Sequence, residues 1–391
     1  DSHSDWLKAV ASDLAENAGE SLIVVGRRQP AAVHALAALL NQALANGDSI
    51  TYAAPDNLML SSTSDLAELA QDMKNGAVDT LIILAGNPVY DAPKDLDFAN
   101  AMAKVETTIH HGLHVNETAA LATWHLPATH PFEGWGDCQA WDGTAAVVQP
   151  LIRPLMNGRS VIELANLIVT GRETVSGYEL VRQTWGPGHG NGPLNDADWK
   201  RVLHDGVLED STFDEVEGDV KGSAVAASIK ALPAAAKALS ADNLEVVFTV
   251  SPSVYDGRFA NNGWLQELPN SITKMTWGNA ALISPATAAA LKVEKLVKKG
   301  RHHADIISLQ LGEDTIEVPV VVMSGQADYS VSIDLGYGRT AAGKVGSGVG
   351  VGVYALRTVT NGTGFADGAR ATATGKEAIL AITQDQFDMH D

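Results

Sequence analysis

Cysteine is nearly missing: Cys138 is the only one in 391 residues. A single thiol cannot close an internal disulfide, nor hold an iron–sulphur cluster, which takes about four thiolates. The redox compartment is therefore not legible from cysteine usage. Basic residues are scarce too, with 27 Lys and Arg against 47 Asp and Glu and a net charge of −20. That balance excludes a nucleic-acid surface, because phosphate contact needs clustered Lys and Arg. It fits solubility or a basic partner protein. No apolar run reaches the ~18 residues of a membrane-spanning helix. The longest, "AAVHALAALLNQALA", carries His34, Asn41 and Gln42. The first residue is Asp and no leader is visible, so the chain is expected to start after processing or inside a longer polypeptide.

Hydrophobic residues make up 45% of the chain and charged residues 19%, enough for a sizeable core. The length allows two or three domains of roughly 150 residues. Strand and helix patterns alternate at first. "SLIVVG" (21–26) reads as a buried strand, with a helix after Pro30. "SITYAA" reads as the next strand. Ser64 and Asp65 can cap the helix "DLAELAQDMKNG". "TLIILAGNP" breaks at Gly86-Asn87-Pro88, then come a helix near 94–104 and the strand "VETTIH". Such alternation predicts a parallel sheet covered on both faces. From Pro127 to Pro154 the pattern is irregular and aromatic, "SVIELANLIV" is a helix and "GPGHGNGP" a break. Beyond Asn243, "LEVVFTV", "AALIS", "DIISLQL", "TIEVPVVVMS" and "YSVSIDLG" read as strands, with "PATAAALKV" a short helix among them. Glycine-rich turns around them suggest a small closed barrel.

The densest chemistry is "ETAALATWHLPATHPFEGWGDCQAWDGT", from Glu117 to Thr144. Its carboxylates Glu117, Glu133, Asp137 and Asp142 could include an acid/base pair. Its tryptophans Trp124, Trp135 and Trp141 are expected to bury area and hydrogen-bond through their indole N–H groups. Pro127, Glu133 and Asp142 are expected to fix an irregular crossing whose backbone needs side-chain partners. Cys138 beside Asp137 is a poor thiolate, and Ser324 lacks the G-x-S-x-G elbow. His110, His111, His114, His125 and His130 match no standard zinc spacing and read as structural. His302-His303, after a Lys/Arg run, reads as a solvated turn. The first strand is followed by Gly26-Arg27-Arg28, not G-x-G-x-x-G, so a dinucleotide fingerprint is missing. Arg27 and Arg28 read first as a solvated basic pair, although such a strand end can meet an anion. The G-x-G spacing in "VGSGVGVGV" opens no predicted helix and is a weak phosphate cradle.

Longer motifs carry a resemblance. "ILAGNPVYDAP", "HVNETAALATWHLPATHPFEGWGD" and "PVVVMSGQADYSVSIDLGYGR" resemble the second half of molybdopterin oxidoreductases. "NGWLQELPNSITKMTWGNAALISPATAAAL" and "YSVSIDLGYGRTAAGKVGSGVGVGVYALR" resemble one branch of them, the iron–sulphur subunit of alternative complex III, the quinol:cytochrome c oxidoreductase. The resemblance implies a formate dehydrogenase/DMSO reductase-like fold. Its parts are a Rossmann-like α/β domain over 1–130, an irregular and helical connecting segment over 131–242, and a double-psi β-barrel over 243–391. It implies a scaffold without a cofactor, peripheral on the periplasmic side of the inner membrane. The implied partners are an iron–sulphur ferredoxin-like domain, membrane quinol-binding subunits and cytochrome c subunits. The alternative it leaves open is the clamping half of an active polysulphide- or thiosulphate-type reductase. There, Arg27, Arg28, Asn87, Gly336 and Gly338 would line a molybdopterin guanine dinucleotide.

Overall fold

The structure is a computed structural model and describes residues 3–53, 62–186, 192–232, 237–293, 295–298, 301–361 and 364–384. The break "GPGHGNGP" falls mostly outside them, as does Pro233. Helix α1 (Ser4–Glu16) opens the chain, and α2 (Ala31–Ala43) starts after Pro30 as expected. The expected strand at 21–26 does not join a sheet. Its backbone is satisfied instead by a side chain: the Asn41 carboxamide accepts from the Ile23 N–H and donates to the Ile23 carbonyl, both at 2.9 Å. Leu22 and Val24 stay exposed. The expected strand is not formed, because pairing needs a neighbour that local sequence does not encode. Of "SITYAA", β1 (Tyr52–Ala53) pairs antiparallel with β7 (Glu215–Val216), not in a parallel sheet.

Helix α3 (Thr63–Lys74) is capped by Ser62, one residue outside the expected pair, with Asp65 completing a capping box. Strand β2 (Thr80–Leu84), the short α4 (Pro88–Asp91), α5 (Phe98–Met102), β3 (Thr107–Gly112), α6 (Glu117–Leu121) and β4 (Trp124–Pro127) follow. The three strands form a parallel sheet in the order β2-β3-β4, pairing Ile82 with Ile109 and Ile109 with Trp124. Leu81 and Ile83 of β2 pack with Met73, Phe98 and Met102. Ile82 and Leu84 on its other face are exposed, so the expected two-sided cover is only partly realised on this strand. The irregular stretch holds a hairpin of β5 (Gly136–Gln139) and β6 (Ala145–Val148). Then come α7 (Val161–Thr170), α8 (Gly177–Thr184) and helices at Asp196–Asp205 and Gly222–Lys230.

The barrel uses β8 (Leu244–Thr249), β9 (Met275–Thr276), β10 (Ala281–Ile283), β11 (Lys295–Lys298), β12 (Arg301–Leu311), β13 (Asp314–Val322), β14 (Ser330–Asp334) and β15 (Phe365–Ile382). Pairing runs β12-β13-β10-β14-β8-β15 and returns from β15 to β12, closing a ring of six, with β11 and β9 attached outside it. The pairs β10–β13 and β8–β14 are parallel, the other pairs in the ring antiparallel. Alternate residues of β8, Leu244, Val246 and Phe248, point inward and meet Ile283, Leu309, Val318 and Ile333. His302-His303 is not a turn: it lies in β12, with His302 buried and His303 beside Glu377 of β15.

The chain groups into two compact units, Asp1–Leu60 with Gly134–Leu151 and Thr170–Ala236, and Ser61–Glu133 with Ile152–Val169 and Lys237–Asp391. The grouping cuts across the stretches 1–130, 131–242 and 243–391, because the chain passes between units several times. In the first unit, Trp135 and Tyr178 meet edge to face at 5.0 Å, and Trp199 lies 5.4 Å from Tyr178 and gives its indole N–H to the Tyr178 hydroxyl. Trp185 donates to Asp137 at 2.6 Å. Trp124 and Trp141 do not bury area as expected: they are 61% and 90% exposed. The buried aromatic anchor is Trp199 instead. Trp199→Ala is expected to destabilise this unit by about 3–5 kcal/mol, as for other buried aromatics. Calorimetry on the full chain reads this as a lowered transition, while Trp141→Ala leaves the transition in place.

Candidate functional site

In the second unit, the turn after β2 and the loop after β14 are drawn together by one carboxylate. Ala85 takes a left-handed φ of 61°, turning the chain so that Pro88 starts α4. Asn87 then points its carboxamide at the start of α6. Its Oδ1 accepts from the Thr118 N–H at 3.1 Å and the Thr118 hydroxyl at 2.8 Å, and its Nδ2 donates to Glu117 at 2.9 Å. Helix α6 is fixed by Asn116, which accepts from the Ala119 N–H. Glu117 is thus the first residue of a capped helix, pointing away from water.

Arg339, buried in the glycine-rich loop beyond β14, meets it side-on. Its Nε lies 2.9 Å from both Glu117 oxygens and its Nη2 lies 2.6 Å from Oε2. The Thr340 and Ala341 N–H groups also donate to Glu117, at 2.8 and 2.9 Å. Nη1 donates to the Gly257 carbonyl and Nη2 also to the Ala341 carbonyl, and the cation lies 4.9 Å above the Tyr90 ring. Burial alone would push Glu117 up, but Arg339, Ala341 N–H and Asn87 hold its pKa at about 2. The pair is ionised and its hydrogen bonds are directed at protein groups.

Beside it lies a second carboxylate pair with split roles. Asp256 is held by Arg258, whose Nη2 and Nε lie 2.7 and 3.0 Å from its oxygens. Burial acts to raise Asp256, and Arg258 outweighs it and lowers the pKa. Asp91, at the end of α4, is lifted to about 7 by burial and then by Asp256, against Arg339 and Arg258. Tyr354 packs edge-on to Tyr90 at 4.9 Å, and burial raises both phenols. The arrangement can therefore hold one proton on Asp91 near neutral pH.

Of the residues expected to meet a pterin dinucleotide, Asn87, Gly336 and Gly338 fall in this unit. Asn87 is engaged as described. Gly336 has φ 95°, and a Cβ there would sit 2.6 Å from the Tyr255 carbonyl; Gly338 has φ 71° and would meet the Gly352 nitrogen. Both glycines are required by close backbone approach within the loops. Arg27 and Arg28 lie in a turn of the other unit, exposed and half-buried respectively. The stretch from Glu117 to Thr144 is divided between the two units. Glu133 accepts from the His130 and Leu155 N–H groups and Asp142 from the Thr144 N–H, the backbone service expected of them. Pro127 ends β4. Cys138 is exposed. Among the described residues no group of three or more His, Cys, Asp or Glu could hold a metal ion. Arg339, Asp91 and Asp256 escaped the sequence reading. The only signal was an arginine set between two glycine turns and a small-residue loop.

No family model matches the chain, and no curated protein matches it in sequence. Among solved structures it is similar to the acetylene hydratase from Pelobacter acetylenicus, at a TM-score of 0.51 and 14% identity. The likeness covers 73% of this chain and 42% of that one, so the chain spans less than half the length of this relative. At such identity the likeness shows the fold alone. The shared fold is mixed α/β, with a parallel sheet and a six-stranded barrel.

Two outcomes follow from the charges. Glu117→Gln is expected to cost about 3–5 kcal/mol, because it leaves the buried Arg339 unpaired. The stability that ionised Glu117 contributes is complete above its unfolded pKa of 4.5 and is lost as pH falls toward about 2. Urea unfolding from pH 6 to 3 should show that loss in the native chain and not in Glu117→Gln. Asp91 acts with the opposite sign. Its folded pKa is raised from 3.8 to about 7, so the fold loses stability as pH rises across that window. Asp91→Asn should flatten this slope and gain on the order of 1 kcal/mol at pH 8.

Proposed function

We propose that this chain is the cofactor-free, molybdopterin-oxidoreductase-like scaffold portion of a quinol:cytochrome c oxidoreductase of the alternative complex III kind. It would sit on the periplasmic side of the inner membrane and hold an iron–sulphur ferredoxin-like domain against quinol-binding and cytochrome c subunits. We read its six-stranded barrel as double-psi, supported by two parallel pairs, β10–β13 and β8–β14, joined through antiparallel β10–β14.

One observation carries the scaffold reading. Three of the five residues that the enzyme reading assigns to a pterin dinucleotide, Asn87, Gly336 and Gly338, are engaged by the protein itself. Asn87 is held between Thr118 and Glu117. Gly336 and Gly338 are pressed against backbone. The carboxylate at the turn is held by Arg339 and two N–H groups. These residues do not fit a dinucleotide without breaking a buried ion pair, whose loss costs about 3–5 kcal/mol. The partners rest on the sequence motifs and on the acidic charge, which suits a basic protein face.

Metal and pterin analysis of the protein isolated from its native membrane tests this reading. Neither stoichiometric molybdenum or tungsten nor pterin fluorescence after acid extraction is expected, and c-type haem absorbance is expected to co-purify. A stoichiometric metal–pterin complex would overturn it in favour of the reductase; a preparation free of haem would remove the assigned partners.

A further inference from the structure

The barrel loops of the second unit carry an aromatic face that neither the Glu117–Arg339 pair nor the scaffold role uses. Its centre is a short helix, Gly263–Glu267, capped by Asn262, whose carboxamide accepts from the Trp264 and Leu265 N–H groups. Trp264 and Leu268 stand one turn apart, the Leu268 N–H donating to the Trp264 carbonyl, and Trp264 is 88% exposed. Neighbours extend the face. Trp277 donates its backbone N–H to the Gln266 carbonyl. Its φ of 53° is left-handed and rare for a bulky residue, and its indole stays at the surface. Val345 packs at the helix start, where a Cβ on Gly263 would lie 3.3 Å from its Cγ1. Phe259 closes the preceding turn, its carbonyl accepting from the Asn262 N–H, and Ile272 lies in the following turn, held by Asn270. All six side chains are exposed.

A whole aromatic side chain spans about 150–250 Å², so at their exposures the six side chains present roughly 600 Å² of apolar surface. Monomers rarely leave a contiguous patch of that size facing water. With its polar rim it approaches the ~800 Å² that each partner gives to a stable interface. The rim decides which partner fits. Glu267 ends the helix and is exposed, and Lys344, the residue before Val345, is exposed beside the helix start. Among the described residues neither has an ion-pair partner. The other charged groups of 255–277 and 341–350 are engaged within the unit: Arg258 holds Asp256, and Lys274 gives its ammonium to the Ser271 carbonyl. The face therefore has an unanswered acid at one end of the helix and an unanswered base at the other. Such a surface complements itself. A two-fold axis through the helix sets two copies antiparallel, apolar side chains together, with each Glu267 opposite the partner's Lys344. An anionic lipid surface or a basic protein would answer one of these charges and oppose the other.

We propose that this face is a two-fold self-association surface, on which two copies of the chain meet through Trp264, Leu268, Trp277 and Val345 and pair Glu267 with the partner's Lys344. The inference rests on the barrel loops alone and goes beyond the scaffold reading, so either can fail without the other. Trp264 is the anchor, since a large exposed indole at the centre of a patch loses most when its cover is removed.

Sedimentation equilibrium of the full chain across about 1–100 μM tests this. A reversible monomer–dimer equilibrium is expected in that range. Trp264→Asp should raise its Kd at least about tenfold while leaving the melting transition in place, because the side chain is exposed. Charge reversal tests the orientation without touching the apolar centre. Glu267→Lys and Lys344→Glu should each weaken the dimer, and the two together should restore it. A native chain that stays monomeric throughout, a dimer indifferent to Trp264→Asp, or a combined reversal no tighter than either single one would overturn the proposal. Binding of a monomeric chain to phosphatidylglycerol–phosphatidylcholine vesicles, lost in Trp264→Asp, would assign the face to lipid and overturn it as well.

Discussion

Arg339 in place opposite Glu117 is the condition on which the second unit rests. The carboxylate belongs to the helix after the parallel sheet and the guanidinium to a loop beyond the barrel, so one contact ties sheet to barrel. A buried ion pair is costly to desolvate and is only worth its place when the remaining donors and lone pairs are engaged. Here they are. Asn87, two backbone N–H groups, two carbonyls and a tyrosine ring complete the shell. The same contact decides what the neighbouring turn can offer a ligand, because Asn87 is spent on orienting Glu117 and α6.

The surrounding charges extend that logic. In a chain with far more acids than bases, arginines are gathered around the barrel loops over aromatic faces: Arg339 over Tyr90, Arg258 over Tyr255 and Arg357 over Tyr354. Glu117 takes Arg339, Asp256 takes Arg258, and Asp91, lifted to about 7, holds its proton on the acid side of neutrality. Two carboxylates close together in a poorly hydrated place resolve their repulsion by separating their pKa values.

What the sequence disclosed depended on how local each signal was. Strands β8, β10, β12, β13 and β14 are rich in Val, Ile and Leu with one face buried, and their pattern sufficed. Strand β15 was missed because "FADGARATATGKEAILAI" is alanine-, threonine- and glycine-rich and shows no such alternation; its place is set by pairing with three other strands. His302-His303 was misjudged from the basic residues before it, though His302 faces inward from a strand. Glu117 stood out as one carboxylate among several, but nothing local points to Arg339. The mixed α/β sheet and the small barrel were legible in the strand and helix patterns, and the glycines at 336 and 338 were noticed for a reason other than the close approach that requires them.

The last barrel strand in the chain is also the one that closes the ring, since β15 touches both β8 and β12. Arg339 lies 222 positions downstream of Glu117. During synthesis the parallel sheet leaves the ribosome with an acid that has no cation to meet. The barrel strands follow as an open ribbon until β15 emerges. Such late, long-range closure slows folding and leaves sheet edges bare in the meantime. A nascent chain stalled before β15 would present unpaired edges on β8 and β12 to any other unfinished copy nearby, and a chaperone that shields those two edges would matter most in that interval.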